Sequence, residues 1–62
     1  EQGSHPVIPV SAVVYRGGLP MVYVLDTHKQ PRLHLLRLGE RFGDHVMVLT
    51  GLQGGERILA NP

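Results

Sequence analysis

The chain has 62 residues, of which 42% are hydrophobic, and its six Lys and Arg against five Asp and Glu give a formal net charge of +1. This length supports one small domain or part of one. The charge is too balanced for an electrostatic nucleic-acid surface, and the lack of cysteine excludes disulfides, cysteine-based zinc sites and thiol nucleophiles.

The N-terminal residues are interpreted as lying outside the domain. Gly3-Ser4-His5 resembles the scar left by a cleaved affinity tag, so residues 1–6 are read as a flexible N-terminal segment. No basic-then-apolar segment resembles a signal peptide, so an export signal, if the natural protein is exported, is expected outside this chain.

The first half of the chain predicts short strands, because apolar and β-branched residues are separated by turn-forming residues. The first strand is predicted over Val7–Tyr15, and Pro9 places its end at a sheet edge or a crossover because proline has no amide to donate. A turn over Arg16–Pro20 leads to a second strand over Met21–Leu25. This strand is the longest apolar run and is far shorter than the ~20 residues of a membrane helix. A polar connector follows over Asp26–Pro31.

The third apolar stretch changes face part-way along its length. Leu33 and Leu35 alternate with polar residues, and Leu36 and Leu38 then repeat the alternation shifted by one residue. A shift of one residue moves side chains to the other face of a sheet. Either a bulge near Leu35-Leu36 restores the inward face, or the strand passes between two surfaces and buries opposite faces in turn. The bulge is the favoured interpretation.

The C-terminal part predicts two further strands and completes an all-β fold. A loop over Gly39–Asp44 precedes a strand over His45–Thr50, whose two apolar faces are both expected to be covered at least in part. A glycine-rich turn over Gly51–Gly55 leads to a last short strand over Glu56–Ala60. The pattern predicts a small β-roll or compact barrel of about five short strands, with no helix longer than a turn.

The polar residues predict no catalytic, cofactor-binding or metal site. The histidines lack a shared-element spacing of i,i+2 or i,i+4 and are interpreted as surface side chains; they are His5, His28, His34 and His45. Four carboxylates lie in or beside predicted turns, where they cap amides and stay hydrated; they are Asp26, Glu40, Asp44 and Glu56. No serine or threonine has the neighbouring His and Asp of a nucleophile. We therefore expect no enzymatic activity.

The glycines of the last turn are interpreted as structural. A phosphate cradle requires a lysine after the glycines and a helix behind them, whereas here Glu56 and a strand follow. Gly51, Gly54 and Gly55 are instead expected to form a turn in which at least one residue has positive φ.

A small nucleic-acid-binding β-barrel is the alternative function. It would use the arginines to line a groove; they are Arg16, Arg32, Arg37, Arg41 and Arg57. Base stacking also needs rings grouped on one exposed face, and the chain has only Tyr15, Tyr23 and Phe42. The sequence therefore favours a reading without nucleic acid.

Five segments, in this order and spacing, resemble the C-terminal part of the membrane fusion proteins. These proteins are the periplasmic adaptors of RND-type tripartite efflux pumps of Gram-negative bacteria, related to the haemolysin secretion protein D family. The segments are Ile8–Val14, Met21–Leu25, Leu36–Glu40, Gly43–Leu49 and Thr50–Ile58. The similarity spans Val7–Asn61, with one departure: Gly55 stands where many relatives place the first polar residue of the last strand.

The resemblance implies a membrane-proximal β domain over residues 7–62 that is part of a longer adaptor. In that family the domain lies between the adaptor's β-barrel domain and an inner-membrane transporter, and it has no catalytic residue and no cofactor. The implied partners are the transporter, other adaptor protomers in a ring and, through the full adaptor, an outer-membrane channel. The implied location is the periplasm at the inner membrane. Arg16 and Arg41, in predicted exposed connectors, are the candidate partner contacts.

Overall fold

Short strands account for most of the regular structure in the computed structural model, which describes residues 5–61. Seven strands form: β1 Val7–Pro9, β2 Val14–Arg16, β3 Leu19–Leu25, β4 Pro31–Leu35, β5 Arg37–Phe42, β6 His45–Thr50 and β7 Arg57–Ile58. One three-residue 3₁₀ turn, Val10–Ala12, lies between β1 and β2. The all-β prediction is confirmed, with seven strands where about five were expected.

The strands form two antiparallel sheets. The three-stranded sheet has the order β1-β6-β5, and the four-stranded sheet has the order β2-β3-β4, with β7 also pairing with β3. The two sheets do not close into a barrel. The carbonyl of Pro6 accepts a hydrogen bond from the amide of Val48 at 2.8 Å, so Pro6 contacts the three-stranded sheet. The predicted tag scar lies mostly outside the described residues.

The predicted first strand divides into two strands at Pro9. This residue ends β1 at the edge of the three-stranded sheet, where it lies opposite His45. The amide of Val10 donates to the carbonyl of Asp44 at 2.8 Å, and the 3₁₀ turn then carries the chain to the four-stranded sheet. Ala12 in this turn is fully buried. Pro9 therefore marks both a sheet edge and the start of a crossover, as its missing amide predicted.

The bulge expected near Leu35-Leu36 is wrong, because the chain passes between the two sheets there. β4 belongs to the four-stranded sheet and β5 to the three-stranded sheet, with Leu36 alone between them. Leu36 is 5% exposed, and its amide donates to the carbonyl of Pro20 at 2.9 Å. Register shifts occur later, within β5 on either side of Leu38. The change of face thus reflects a change of sheet.

The loop predicted over Gly39–Asp44 is wrong for most of its length, because β5 continues to Phe42 and only Gly43 and Asp44 form the turn into β6. The strand β6 has the predicted bounds. Its outward side chains Met47 and Leu49 lie over Gly39, where an added Cβ would stand 3.0 Å from Leu49 Cδ2 and 3.3 Å from Met47 Sδ. This contact gives β6 partial cover on its second face.

The core lies between the two sheets and is small. Every buried side chain in the described part of the chain is apolar; the set is Ile8, Ala12, Val22, Val24, Leu36, Val46 and Val48. The largest side chains with no exposure are valines, Val22 of β3 and Val48 of β6. Several larger apolar side chains are exposed instead; they include Leu19, Leu33, Leu35, Leu49 and Phe42.

Candidate functional site

The outward face of the four-stranded sheet is apolar and partly exposed. Since Val22 and Val24 point into the core, alternation places Leu19, Met21, Tyr23 and Leu25 of β3 on the opposite face. Register adds two leucines of β4, because Leu33 lies opposite Tyr23 and Leu35 opposite Met21. Leu19 is 50% exposed and Leu35 is 55% exposed. We call these six side chains the outer face.

An arginine lies at each end of the outer face. Arg16 is opposite Leu19 and Arg57 is opposite Leu25, so both share the face. The six-residue separation along β3 places them about 20 Å apart. The Arg16 guanidinium donates from Nη2 to the Tyr23 hydroxyl at 2.8 Å, which lays the arginine along the face.

The strands of the four-stranded sheet contain no acidic residue. Two carboxylates flank these strands along the chain: Glu56 directly precedes β7, and Asp26 directly follows β3, where it serves the connector to β4. Its Oδ1 accepts the amides of His28 at 2.8 Å and Gln30 at 2.9 Å, and its Oδ2 accepts Arg32 Nε at 3.1 Å. Hydrogen bonds from the Gln30 amide first, then from Arg32 and the His28 amide, lower the pKa of Asp26. Asp26 is thus a turn-capping residue, as the sequence predicted.

Glu56 holds the glycine-rich turn together. Its two carboxylate oxygens accept the amides of Gln53 and Gly54, each at 2.7 Å. The Gln53 amide is the largest cause that lowers the pKa of Glu56. Gly51, Gly54 and Gly55 have φ of 111°, 107° and 82°, the conformation that the sequence predicted for at least one of them. The carboxylate and the glycines therefore build a structural loop.

The two candidate partner contacts lie on different sheets and in strands, not in connectors as expected. Arg16 ends β2 at the outer face, whereas Arg41 belongs to β5 of the three-stranded sheet. Arg41 Nε donates to the carbonyl of Gly43 at 2.8 Å and so supports the turn between β5 and β6. Both arginines are exposed. Only Arg16 belongs to the apolar outer face.

Two histidines make hydrogen-bonding contacts within the chain. His34 Nδ1 lies 3.0 Å from the carbonyl of Gly51, and His45 Nδ1 lies 2.8 Å from Asp44 Oδ1. A hydrogen bond from the His45 side chain is the largest cause that lowers the pKa of Asp44. Glu40, which was expected in or beside a turn, lies within β5. Among residues 5–61, no three His, Asp or Glu side chains come close enough to hold a metal ion.

An open groove of about 310 Å³ lies beside the crossover at Leu36. Its lining continues from the outer face: Leu19, Leu35, Leu36, Arg37 and Thr50. The only ionisable side chain in this lining is Arg37, so the groove offers no pair of acid and base groups. Its apolar lining extends the exposed surface around the end of β4.

No helix in the described part of the chain is long and apolar enough to cross a membrane.

The outer face is the feature that sequence reasoning missed. The uninterrupted run Met21–Leu25 carried the signal, because a strand that is apolar at every position has two apolar faces and only one of them reaches a small core. Comparisons of the chain with protein-family models, curated proteins and solved structures found no match.

Proposed function

We propose that the chain is a non-catalytic interaction module, the membrane-proximal domain of a periplasmic efflux adaptor. In this role it couples an inner-membrane transporter to the rest of a tripartite export pump, in the periplasm beside the inner membrane. The order and spacing of the five segments that resemble membrane fusion proteins support this assignment.

The observation that carries the interaction role is the outer face. Soluble monomers rarely expose large contiguous apolar patches, and such patches mark interaction surfaces. Burying the face against another protein stabilises the complex by about 25 cal/mol for each Å² of apolar surface removed from water. In the proposed adaptor, the neighbouring β-barrel domain or the transporter covers it.

The arginines at the rim of the face tune recognition. Arg16 and Arg57 have no carboxylate beside them in the strands of this sheet, so a partner with acidic groups around an apolar centre fits the surface best. The hydrogen bond from Arg16 to the Tyr23 hydroxyl holds one of these charges in place.

The experiment compares two matched substitutions in the parent adaptor. Leu19 on the outer face is 50% exposed, and Phe42 on the three-stranded sheet is 48% exposed. Leu19→Asp is expected to raise drug susceptibility at least four-fold and to reduce co-purification of the transporter. Phe42→Asp is expected to do neither. Immunoblots of adaptor abundance exclude misfolding as the cause.

Charge reversal gives a second comparison in the same cells. Arg16→Glu is expected to weaken pump assembly more than Arg41→Glu, because only Arg16 lies on the outer face, and to change folding stability little. Full pump activity with both Leu19→Asp and Arg16→Glu contradicts the proposed function.

A further inference from the structure

The strand β4 is an edge of the four-stranded sheet. It pairs with β3 on one side, and no strand within residues 5–61 pairs with its other side. Its only fully charged side chain is Arg32, and Asp26 balances that charge through an Nε–Oδ2 contact of 3.1 Å. The flanking Leu33 and Leu35 are both exposed.

The edges of the three-stranded sheet are better protected against pairing. Proteins guard edge strands by shortness, proline, charge and irregular register. The strand β1 has three residues and ends at Pro9. The strand β5 carries Arg37, Glu40 and Arg41 and two register shifts. Of these edges, β4 is therefore the one most open to an added strand.

Hydrogen-bond alternation shows which backbone groups of β4 are available. The amide of Leu36 donates to Pro20 at 2.9 Å and the amide of Asp26 donates to Gln30 at 3.0 Å. In an antiparallel pair every second residue is bonded, so the even-numbered residues of β4 face β3. The backbone groups of the odd-numbered residues point to the open edge.

Two backbone groups on this edge cannot form hydrogen bonds with an added strand. Pro31 has no N–H, and the carbonyl oxygen of Leu35 lies against Gly51, where an added Cβ would overlap it. The available groups are the carbonyl of Pro31, the amide and carbonyl of Leu33, and the amide of Leu35. These groups are symmetrical about Leu33.

We propose that β4 pairs antiparallel with β4 of a second copy of the chain about a two-fold axis at Leu33. Leu33 then exchanges two hydrogen bonds with Leu33 of the partner subunit. The amide of Leu35 donates to the carbonyl of Pro31 of the partner subunit. The symmetry-related bond, from Leu35 of the partner subunit to Pro31, brings the total to four hydrogen bonds. This register uses every available backbone group on the open edge. It requires neither the missing amide of Pro31 nor the covered carbonyl of Leu35. A two-residue shift in one direction requires the covered Leu35 carbonyl, and in the other direction it requires the missing Pro31 amide.

The side chains suit this register. Leu33 meets Leu33 of the partner subunit on the outer face, and Leu35 lies beside Pro31 of the partner subunit. The outer face then runs without interruption across two copies. The contact of two five-residue strands falls below the ~1,200 Å² of stable specific interfaces, so the dimer forms at high protein concentration. The inference rests on the backbone of β4 and not on the proposed function.

Engineered cysteines test the register, since the chain has no cysteine of its own. Directly opposed, bonded residues have Cα atoms about 5.5 Å apart, within the range of a disulfide. In a glutathione redox buffer, Leu33→Cys is expected to form a covalent dimer at least ten-fold faster than Leu19→Cys, an exposed control on the same face. Equal rates, or faster dimerisation of Leu35→Cys, overturn the proposal.

Sedimentation equilibrium tests the association without a disulfide. The mass of the unmodified chain is expected to rise toward that of a dimer with concentration. Leu33→Lys places like charges opposite each other and is expected to remain monomeric with an unchanged melting temperature. Leu19→Lys, the matched control, is expected to dimerise like the unmodified chain. A monomer at every concentration up to about 1 mM overturns the proposal, as does dimerisation of Leu33→Lys.

Discussion

Gly51 is the residue where backbone conformation and close packing coincide. Its φ of 111° disfavours any side chain, and an added Cβ would overlap the carbonyl oxygen of Leu35 and stand 2.8 Å from Leu36 Cδ2. Gly54 has a similar φ of 107° but open space around it. Comparing substitutions at these two glycines therefore separates the energetic cost of positive φ from the cost of the close contact with Leu35 and Leu36.

Substitution of these two glycines by alanine is expected to have unequal effects. Gly54→Ala pays only for positive φ and should lower the free energy of unfolding by about 1 kcal/mol. Gly51→Ala also displaces β4 or the crossover and should lower it by about 2 kcal/mol or more. Urea denaturation followed by circular dichroism measures both. An equal loss at the two positions argues against the close approach of Gly51.

The Glu56 carboxylate makes stability depend on pH. Its pKa is lowered in the folded chain, so its hydrogen bonds stabilise the fold above the ordinary glutamate pKa, and this contribution is lost as pH falls through the lowered value. Glu56→Gln is expected to melt at a lower temperature at pH 7 and to lose less stability than the unmodified chain between pH 5 and pH 3.

Glu40→Gln is the control for the removal of a carboxylate. Glu40 is exposed within β5, and its replacement is expected to leave the melting temperature at pH 7 unchanged. Asp26 and Asp44 titrate in the variants and in the unmodified chain alike, so the difference between Glu56→Gln and the unmodified chain isolates the Glu56 contribution. Identical acid profiles for Glu56→Gln and the unmodified chain contradict the role of this carboxylate.

Among the elements, β4 and β5 are one extended segment shared between two sheets. Leu36 joins them, and its side chain is part of the core. The neighbouring Leu35 is 55% exposed on the outer face. Adjacent leucines therefore have opposite structural roles.

Truncation of these leucines is expected to differ sharply. Leu36→Ala leaves a cavity in a core of few side chains and should cost about 2–5 kcal/mol, most of the stability of a chain this size. Leu35→Ala should stay within about 0.5 kcal/mol of the unmodified chain, because the side chain is exposed. Thermal and urea unfolding measure both, and a tolerated Leu36→Ala contradicts the crossover geometry.

The periodicity of this segment predicted the change of face but not its cause. Alternation at Leu33 and Leu35, followed by Leu36 and Leu38, is compatible with a bulge in one sheet and with passage between two. The local sequence is the same in both cases. The difference depends on which strands pair with β4 and β5, and those strands lie far away in the chain.

For the whole molecule, the distribution of aromatic rings bears on the nucleic-acid alternative. Tyr23 lies on the outer face, and its hydroxyl accepts a hydrogen bond from the Arg16 guanidinium. Tyr15 lies opposite Pro20 and so points to the other side of the same sheet, and Phe42 belongs to the other sheet. The rings do not share one exposed face, which stacking of successive bases requires.

Binding to nucleic acid is therefore expected to be weak and indifferent to sequence. Fluorescence anisotropy with labelled single-stranded DNA and RNA should show dissociation constants above about 100 μM at 150 mM salt, with further weakening as salt rises. Submicromolar, salt-resistant binding to any oligonucleotide contradicts the adaptor proposal and favours the nucleic-acid-binding alternative.

The sequence by itself determined the all-β class, the edge position of Pro9, the bounds of β6 and the positive-φ glycine turn. These features depend on residues close together in the chain: a missing proline amide, two-residue alternation and glycine's lack of a Cβ. Only the tertiary structure decided that Leu36 crosses between sheets, that β5 extends to Phe42, and which face of β3 stays exposed. When a strand is apolar on both faces, its own sequence does not show which face is buried and which is exposed. That choice is made by the strands that pair and pack around it, and by a core too small to cover both faces.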